Sequence, residues 1–246
     1  MVHPVARIGY ASAADAYGRS RPAYAAEIVT EMRHHLSVGT VVELGAGTGI
    51  ITAELVGDGR RVVAVEPVES MRTALARSAP EADIREGGAE DIPVADGSAV
   101  AVVAAQAFHW FDAEPALDEI GRVLGPGGRL ALLWNVRDQS VPWVAAYTRI
   151  MDDHAADTPR HATMAWRRAI DADPRFELEH ERSVAHGWPT DAEGVVDRAR
   201  STSFIAALDE AERRSVETRV RELVAPLGDT FDFPYSSRIH VWRLVP

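Results

Sequence analysis

The decapeptide VVELGAGTGI, residues 41–50, runs apolar residues directly into glycines at alternate positions, Gly45, Gly47 and Gly49. Glycine admits positive φ and lets a ligand lie against main-chain N–H groups with no Cβ in the way. Glu66 follows at about the 20-residue spacing expected of an acidic side chain that accepts hydrogen bonds from ribose hydroxyls. Together these residues describe a site for a nucleoside-bearing cofactor. A second group, Gln106-Ala107-Phe108-His109-Trp110, and a third, Trp134-Asn135, each follow an apolar run.

The elements that must position these groups are legible in the same stretch. Residues 40–44, 61–66, 82–87, 99–106 and 129–135 read as strands, several near-continuously apolar as in a sheet buried on both faces. Between them lie segments with apolar residues at helical spacing, such as Leu117, Ile120 and Leu124. Gly125-Pro126-Gly127-Gly128 ends the last of these helices and turns into the next strand. Repeated βα units predict a doubly wound, mostly parallel α/β sheet with right-handed crossovers. The glycines then fall between the first strand and first helix, at the carboxyl edge where open parallel sheets bind ligands. Gln106–Trp110 reach the same edge from the fourth strand.

Residues 1–39 precede the sheet and read as two helices, the second opening on Pro22 with Ile28, Met32 and Leu36 on one face. Residues 136–246 are mixed, with 209–224 helical and 238–245 a final strand. No internal repeat or linker interrupts the chain, so a single domain is expected over 1–246: a helical cap (1–39), a cofactor-binding core (40–135), and a substrate-side cap with the last strands (136–246).

The 246 residues contain no cysteine, which excludes disulfides, thiolate metal sites and a cysteine nucleophile. A formal net charge of −11 opposes an extended phosphate backbone, so nucleic acid is not the expected partner. No stretch has the length and apolarity of a membrane span or signal peptide, making the cytoplasm the expected location and a membrane an unexpected partner. The histidines lack the short helical spacing of a metal pair, and no metal is expected.

The spacing G-A-G-T-G departs from the G-x-G-x-x-G of dinucleotide loops. The stretch ELGAGTG instead resembles the first motif of class I S-adenosylmethionine-dependent methyltransferases, and VAVEPVESM, EGGAEDIPVADGSAVAVVAAQAFHW and IGRVLGPGGRLALLWN resemble the motifs that follow it in order. AADAYGRSRPAYAAEIV is similar to the N-terminal element of a small-molecule branch that includes trans-aconitate methyltransferase-like proteins and is related to quinone-biosynthesis methyltransferases. The resemblance implies a seven-stranded Rossmann-like sheet with an N-terminal helical cap. It implies that Gly45, Ala46, Gly47 and Gly49 pass main chain around the methionine part of S-adenosylmethionine, with Glu43 near its ammonium. Glu66 would hold the ribose, with Pro67 following it and Met71 lining the adenosine. Ala89 and Glu90 would approach the adenine, although Gly88 stands where many relatives carry an acidic or hydroxyl residue. Tyr17 and Arg21 would fold over the cofactor, Gln106 would complete its site, and the product would be S-adenosylhomocysteine.

Phe108, His109, Trp110, Trp134 and Asn135 are then the expected acceptor side, with Trp143 nearby. Methyl transfer from a sulfonium is an in-line displacement that mainly needs alignment, exclusion of water and favourable dipoles. A base is needed only where the acceptor must lose a proton, so His109 stands as a base, a substrate hydrogen-bond donor or a packed histidine. Arg198, Ser201 and Ser203 resemble a recurring element of the branch, either binding an acidic acceptor or stabilising the cap. The expected function is methylation of a small organic acceptor, at a carboxylate oxygen or an activated carbon, by a monomer or homodimer. The alternatives are a cofactor-binding regulatory protein without catalysis, an RNA methyltransferase and a dinucleotide-dependent oxidoreductase.

Overall fold

A computed structural model of the chain describes residues 20–57, 59–156 and 158–245. The strands are β1 (Thr40–Leu44), β2 (Arg61–Val65), β3 (Asp83–Arg85), β4 (Ala99–Ala105), β5 (Leu124–Arg137), β6 (Phe176–Thr190) and β7 (Phe231–Leu244). They form one seven-stranded sheet in the order β3-β2-β1-β4-β5-β7-β6. Neighbours among β1 to β5 pair in parallel, and β7 runs antiparallel to both β5 and β6. The mostly parallel, doubly wound α/β sheet expected from the alternating pattern is present.

The period-2 alternation of a strand sends neighbouring residues to opposite faces. On β1, Val42 and Leu44 join one apolar cluster while Val41 joins the other. Helices α1 (Ala26–His35) and α2 (Ile50–Leu55) cover the Val41 face through Ile28, Met32, Ile51 and Leu55. Helix α3 (Glu69–Ser78) buries Leu75 against Ala64, and α4 (Ala113–Val123) covers the opposite face through Leu117, Ile120 and Val123. Helix α6 (Ala165–Ala172) adds Trp166 and Ile170 to that face.

Beyond the carboxyl edge of β5 the chain builds a third apolar cluster. Helices α5 (Pro142–Asp152), α7 (Ala192–Arg200), α8 (Ser203–Ala206) and α9 (Glu210–Val224) pack around Phe233 and Tyr235 of β7. Asp191 and Asp209 cap α7 and α9 by accepting from the main-chain N–H groups of Gly194 and Glu212. Trp143 of α5 belongs to this cluster, its ring 4.7 Å from Phe233.

Three local expectations are corrected. Pro22 does not open a helix: α1 begins at Ala26, and residues 22–25 run outside any helix or strand, the Pro22 and Ala23 carbonyls accepting from Asn135 Nδ2. β3 is three residues rather than six, and β7 starts at Phe231 rather than 238. β6 was not foreseen, because its residues are mostly exposed or half-buried and lack an apolar alternation. The first of the two expected N-terminal helices lies outside the described residues.

Candidate active site

The glycine loop leaves β1 with Gly45, Gly47 and Gly49 all at positive φ, +67°, +58° and +91°. Their reasons for lacking a side chain differ. A Cβ on Gly45 would lie 2.8 Å from the Ala107 Cβ, and one on Gly49 would lie 2.4 Å from Ser78 Oγ, so these two permit close packing of the segment after β4 and of α3. A Cβ on Gly47 would meet nothing within 4 Å. Gly47 therefore opens onto free space, in a cavity that Gly45, Ala46, Gly47 and Thr48 line together.

Two buried carboxylates support the loop. Glu43, 1% exposed, sits on the cavity wall and accepts from the Thr52 hydroxyl at 2.6 Å. Burial pushes its carboxyl up to about 8, against the lowering effect of the Thr52 bond. Glu66, 6% exposed, accepts from Gly47 N–H with Oε2 and from Val68 N–H with Oε1, each at 2.9 Å. Its carboxyl is also raised by burial, while these two donors act in the opposite sense.

The other walls of this cavity come from strand ends, from the segment before α1 and from α7. They include Arg21, Tyr24, Gln106, Asn135, Arg198 and Tyr235. Gln106 follows β4 directly with φ +55°, a conformation that costs a non-glycine residue energy, and its Nε2 donates to the Asn135 carbonyl at 2.9 Å. Arg21 reaches α7's end, donating to the Ser201 carbonyl at 2.8 Å.

A second cavity adjoins the first. Arg21, Gln106, Asn135 and Arg198 line both, and His109, Trp110, Arg137, Thr148, Arg160 and His161 continue the second. His109 Nδ1 has no hydrogen-bond partner among the described residues, and burial drives the imidazole down to about 3, with His161 and Arg21 adding to the effect. It is a neutral group at physiological pH.

The structure thus brings Arg21, Glu43, Gly45, Ala46, Gly47 and Gln106 to the first cavity, and His109, Trp110 and Asn135 to the second. Gly49 faces α3, and Met71 and Ala89 are buried. The Pro67 carbonyl accepts from Arg72, and Glu90 Oε1 accepts from Asp112 N–H. Phe108 is buried beside His109 and borders a third cavity. Trp134 lines none of these cavities: it is fully buried, its ring 5.3 Å from His109 and 5.1 Å from Trp166, because its position on β5 points it into the core. Tyr17 lies outside the described residues. Ser203 lines the second cavity, whereas buried Ser201 donates its hydroxyl to the Arg198 carbonyl.

Arg137 and Tyr235 were not singled out from the sequence. The signal for Arg137 was its place two residues beyond Asn135, on the same face of a strand. The signal for Tyr235 was its place in DFPYSSRIHVWRL, a segment that resembles the same small-molecule branch, although the strand was read only from residue 238. Among the described residues one group of metal-ligating side chains comes together, Glu31, His35 and His180, and it borders neither cavity; Glu31 also pairs with Arg182. No helix among the described residues is long and apolar enough to cross a membrane.

Comparison with known proteins places this architecture. The methyltransferase domain family matches residues 42–132. An uncharacterized methyltransferase of Mycobacterium tuberculosis is 34% identical over 218 residues, covering 89% of this chain and 86% of the relative. An uncharacterized methyltransferase-like protein of Schizosaccharomyces pombe is 32% identical over 211 residues, covering 84% and 82%. Among solved structures, a chain from Anaeromyxobacter dehalogenans provisionally named a type II methyltransferase shares the fold with a TM-score of 0.68 at 20% identity, over 92% of this chain and 99% of that one. With the glycine loop, the strand order and these relatives in agreement, the chain belongs to the methyltransferase domain family.

Proposed function

We propose that the protein transfers the methyl group of S-adenosylmethionine to a small organic acceptor and releases S-adenosylhomocysteine. The observation that carries this reading is the pair of adjoining cavities with Arg21, Gln106, Asn135 and Arg198 as common walls. Two substrates held on either side of such a boundary meet at the carboxyl edge of the sheet. The cofactor fits the first cavity on the chemistry of its lining, with open space beside Gly47 and a buried Glu43 to meet an ammonium; Glu66 stands behind the loop, bonded to Gly47, where we assign it to the ribose.

S-Adenosylmethionine supplies an electrophilic methyl group on a sulfonium, and the chain's own residues have the tasks of alignment and exclusion of water. Gln106 and Asn135, tied to each other and to the segment at Pro22, fix the boundary between cofactor and acceptor. His109, neutral in its buried setting, accepts a proton or donates a hydrogen bond at the acceptor. The acceptor atom is a carboxylate oxygen or an activated carbon, following the resemblance of the N-terminal element to the trans-aconitate and quinone-pathway branch. The solved geranyl diphosphate C-methyltransferase from Streptomyces coelicolor A3(2), of the same fold with a TM-score of 0.51 and 17% identity, carries S-adenosyl-L-homocysteine, which agrees with the cofactor reading.

The test is transfer of labelled methyl from S-adenosylmethionine into a host extract that is then fractionated. Label in the small-molecule pool supports the reading. Label in RNA or protein contradicts the acceptor class, and its absence from every pool favours a binding-only protein.

A further inference from the structure

We propose that the acceptor carries an oxyanion group, carboxylate or phosphate, and that Arg137 anchors it in the second cavity. This rests on the reading of that cavity as the acceptor site. Arg137 is the last residue of β5 and lines the cavity. Its guanidinium carbon lies 5.3 Å from the centre of the Tyr147 ring, and among the described residues no carboxylate pairs with it and no hydrogen bond holds it. The acid on the cavity wall, Asp152, accepts from Arg160 at 2.8 Å.

The surroundings are those of a missing anion. Tyr235 stands directly opposite Arg137 in the β5–β7 register, so the two side chains share a face of the sheet. Tyr147 and Tyr235 are each 1% exposed, and the hydroxyl of each has no hydrogen-bond partner among the described residues. Buried phenols normally find a partner, and these two stand unpartnered near one unpaired guanidinium, with Tyr235 on the wall of the first cavity. Arg198 brings a second positive charge to the same cavity and repels Arg137 through space. Removal from bulk water is the main influence holding the Arg137 guanidinium below its usual pKa; the Arg198 charge adds to it, while Tyr147, Tyr235 and Asp152 act in the opposite sense. Asp152 acts on Arg137 through space but is bonded to Arg160, so an oxyanion in the second cavity would give the flat arginine fork the direct partner it lacks. It is the more distinctive in a chain of net charge −11.

Calorimetry on the full chain loaded with S-adenosylhomocysteine tests this, with succinate, inorganic phosphate and uncharged succinamide as probes and the variants Arg137→Met and Arg137→Lys. The expected result is that an oxyanion binds the loaded wild type and succinamide does not. Arg137→Met should weaken that binding at least tenfold, with S-adenosylhomocysteine affinity within twofold of wild type. Arg137→Lys keeps the charge but loses the fork, so it should weaken binding severalfold; it serves alone should the methionine variant not fold. Preference for succinate identifies a carboxylate and preference for phosphate a phosphate. Undiminished oxyanion affinity in the folded variants, or no oxyanion binding to loaded wild type, overturns the proposal. Failure of the wild type to take up S-adenosylhomocysteine overturns the methyltransfer reading instead.

Discussion

Glu66 Oε2 accepts a hydrogen bond from the main-chain N–H of Gly47 at 2.9 Å, joining the end of β2 to the most open point of the glycine loop. The carboxylate that the sequence assigned to ribose is also the group that sets the loop's shape. Loss of the side chain therefore has two effects. Glu66→Ala should weaken S-adenosylhomocysteine binding by at least tenfold and lower stability by about 1–3 kcal/mol, because the buried Val68 N–H and the half-buried Gly47 N–H lose their acceptor. Calorimetry and urea unfolding measure the two separately. A variant altered in only one would separate the roles.

Glu43 should make stability, and the proposed cofactor binding, depend on pH. Its carboxyl is raised from 4.5 to about 8, so between these values the folded protein keeps a proton that the unfolded chain has released. Stability from this group is therefore present below pH 4.5, falls as pH rises to about 8, and is level above it. Glu43→Gln should melt above wild type at pH 9 and match it near pH 4, with each pKa unit worth about 1.4 kcal/mol. An ammonium placed beside Glu43 favours the charged form. Cofactor binding at pH 7 should accordingly release a proton, measurable as a buffer-dependent enthalpy, and Glu43→Gln should abolish that dependence.

His109 should remain neutral far below the ordinary histidine range, since its pKa is held at about 3. Titration of labelled imidazoles by nuclear magnetic resonance should show it uncharged at pH 5. A midpoint near 6 would contradict the buried, unpartnered setting. With an acceptor in hand, His109→Ala should cut turnover well before it weakens cofactor affinity, and unchanged turnover would remove His109 from the mechanism.

Gln106 separates backbone strain from side-chain function. At φ +55° a glycine is more comfortable than alanine, by about 1 kcal/mol. Gln106→Gly should unfold at higher urea than Gln106→Ala, while both variants lose the bridge to Asn135 and bind S-adenosylhomocysteine more weakly than wild type. Equal stability of the two would argue against strain at this position.

The part of the fold around the glycine loop was the most legible in the sequence, for a physical reason. β1, β2 and β4 are buried on both faces, and continuous burial writes itself as Val and Ala runs. Gly45, Gly47 and Gly49 stand out because positive φ leaves few alternatives to glycine. Their separate purposes, packing at two positions and open space at one, depend on neighbours distant in the chain and emerge only in three dimensions. β6 left no apolar pattern because so much of it meets solvent, and without it the extent of β7 and the place of Tyr235 were hidden. Trp134 illustrates the opposite difficulty: a tryptophan at a strand end suits a ligand wall or a core equally, and only the burial of its whole ring distinguishes them. Arg137 was passed over because an arginine at a strand end ordinarily meets solvent; the helices that enclose it come later in the chain.

The most direct measurement of the central claim is titration of the wild-type protein with S-adenosylhomocysteine and, separately, NADH. Saturable binding of S-adenosylhomocysteine with no comparable binding of NADH is the expected result. Tight NADH binding with no binding of S-adenosylhomocysteine would contradict the assignment of the loop around Gly47 and the methyltransfer built upon it.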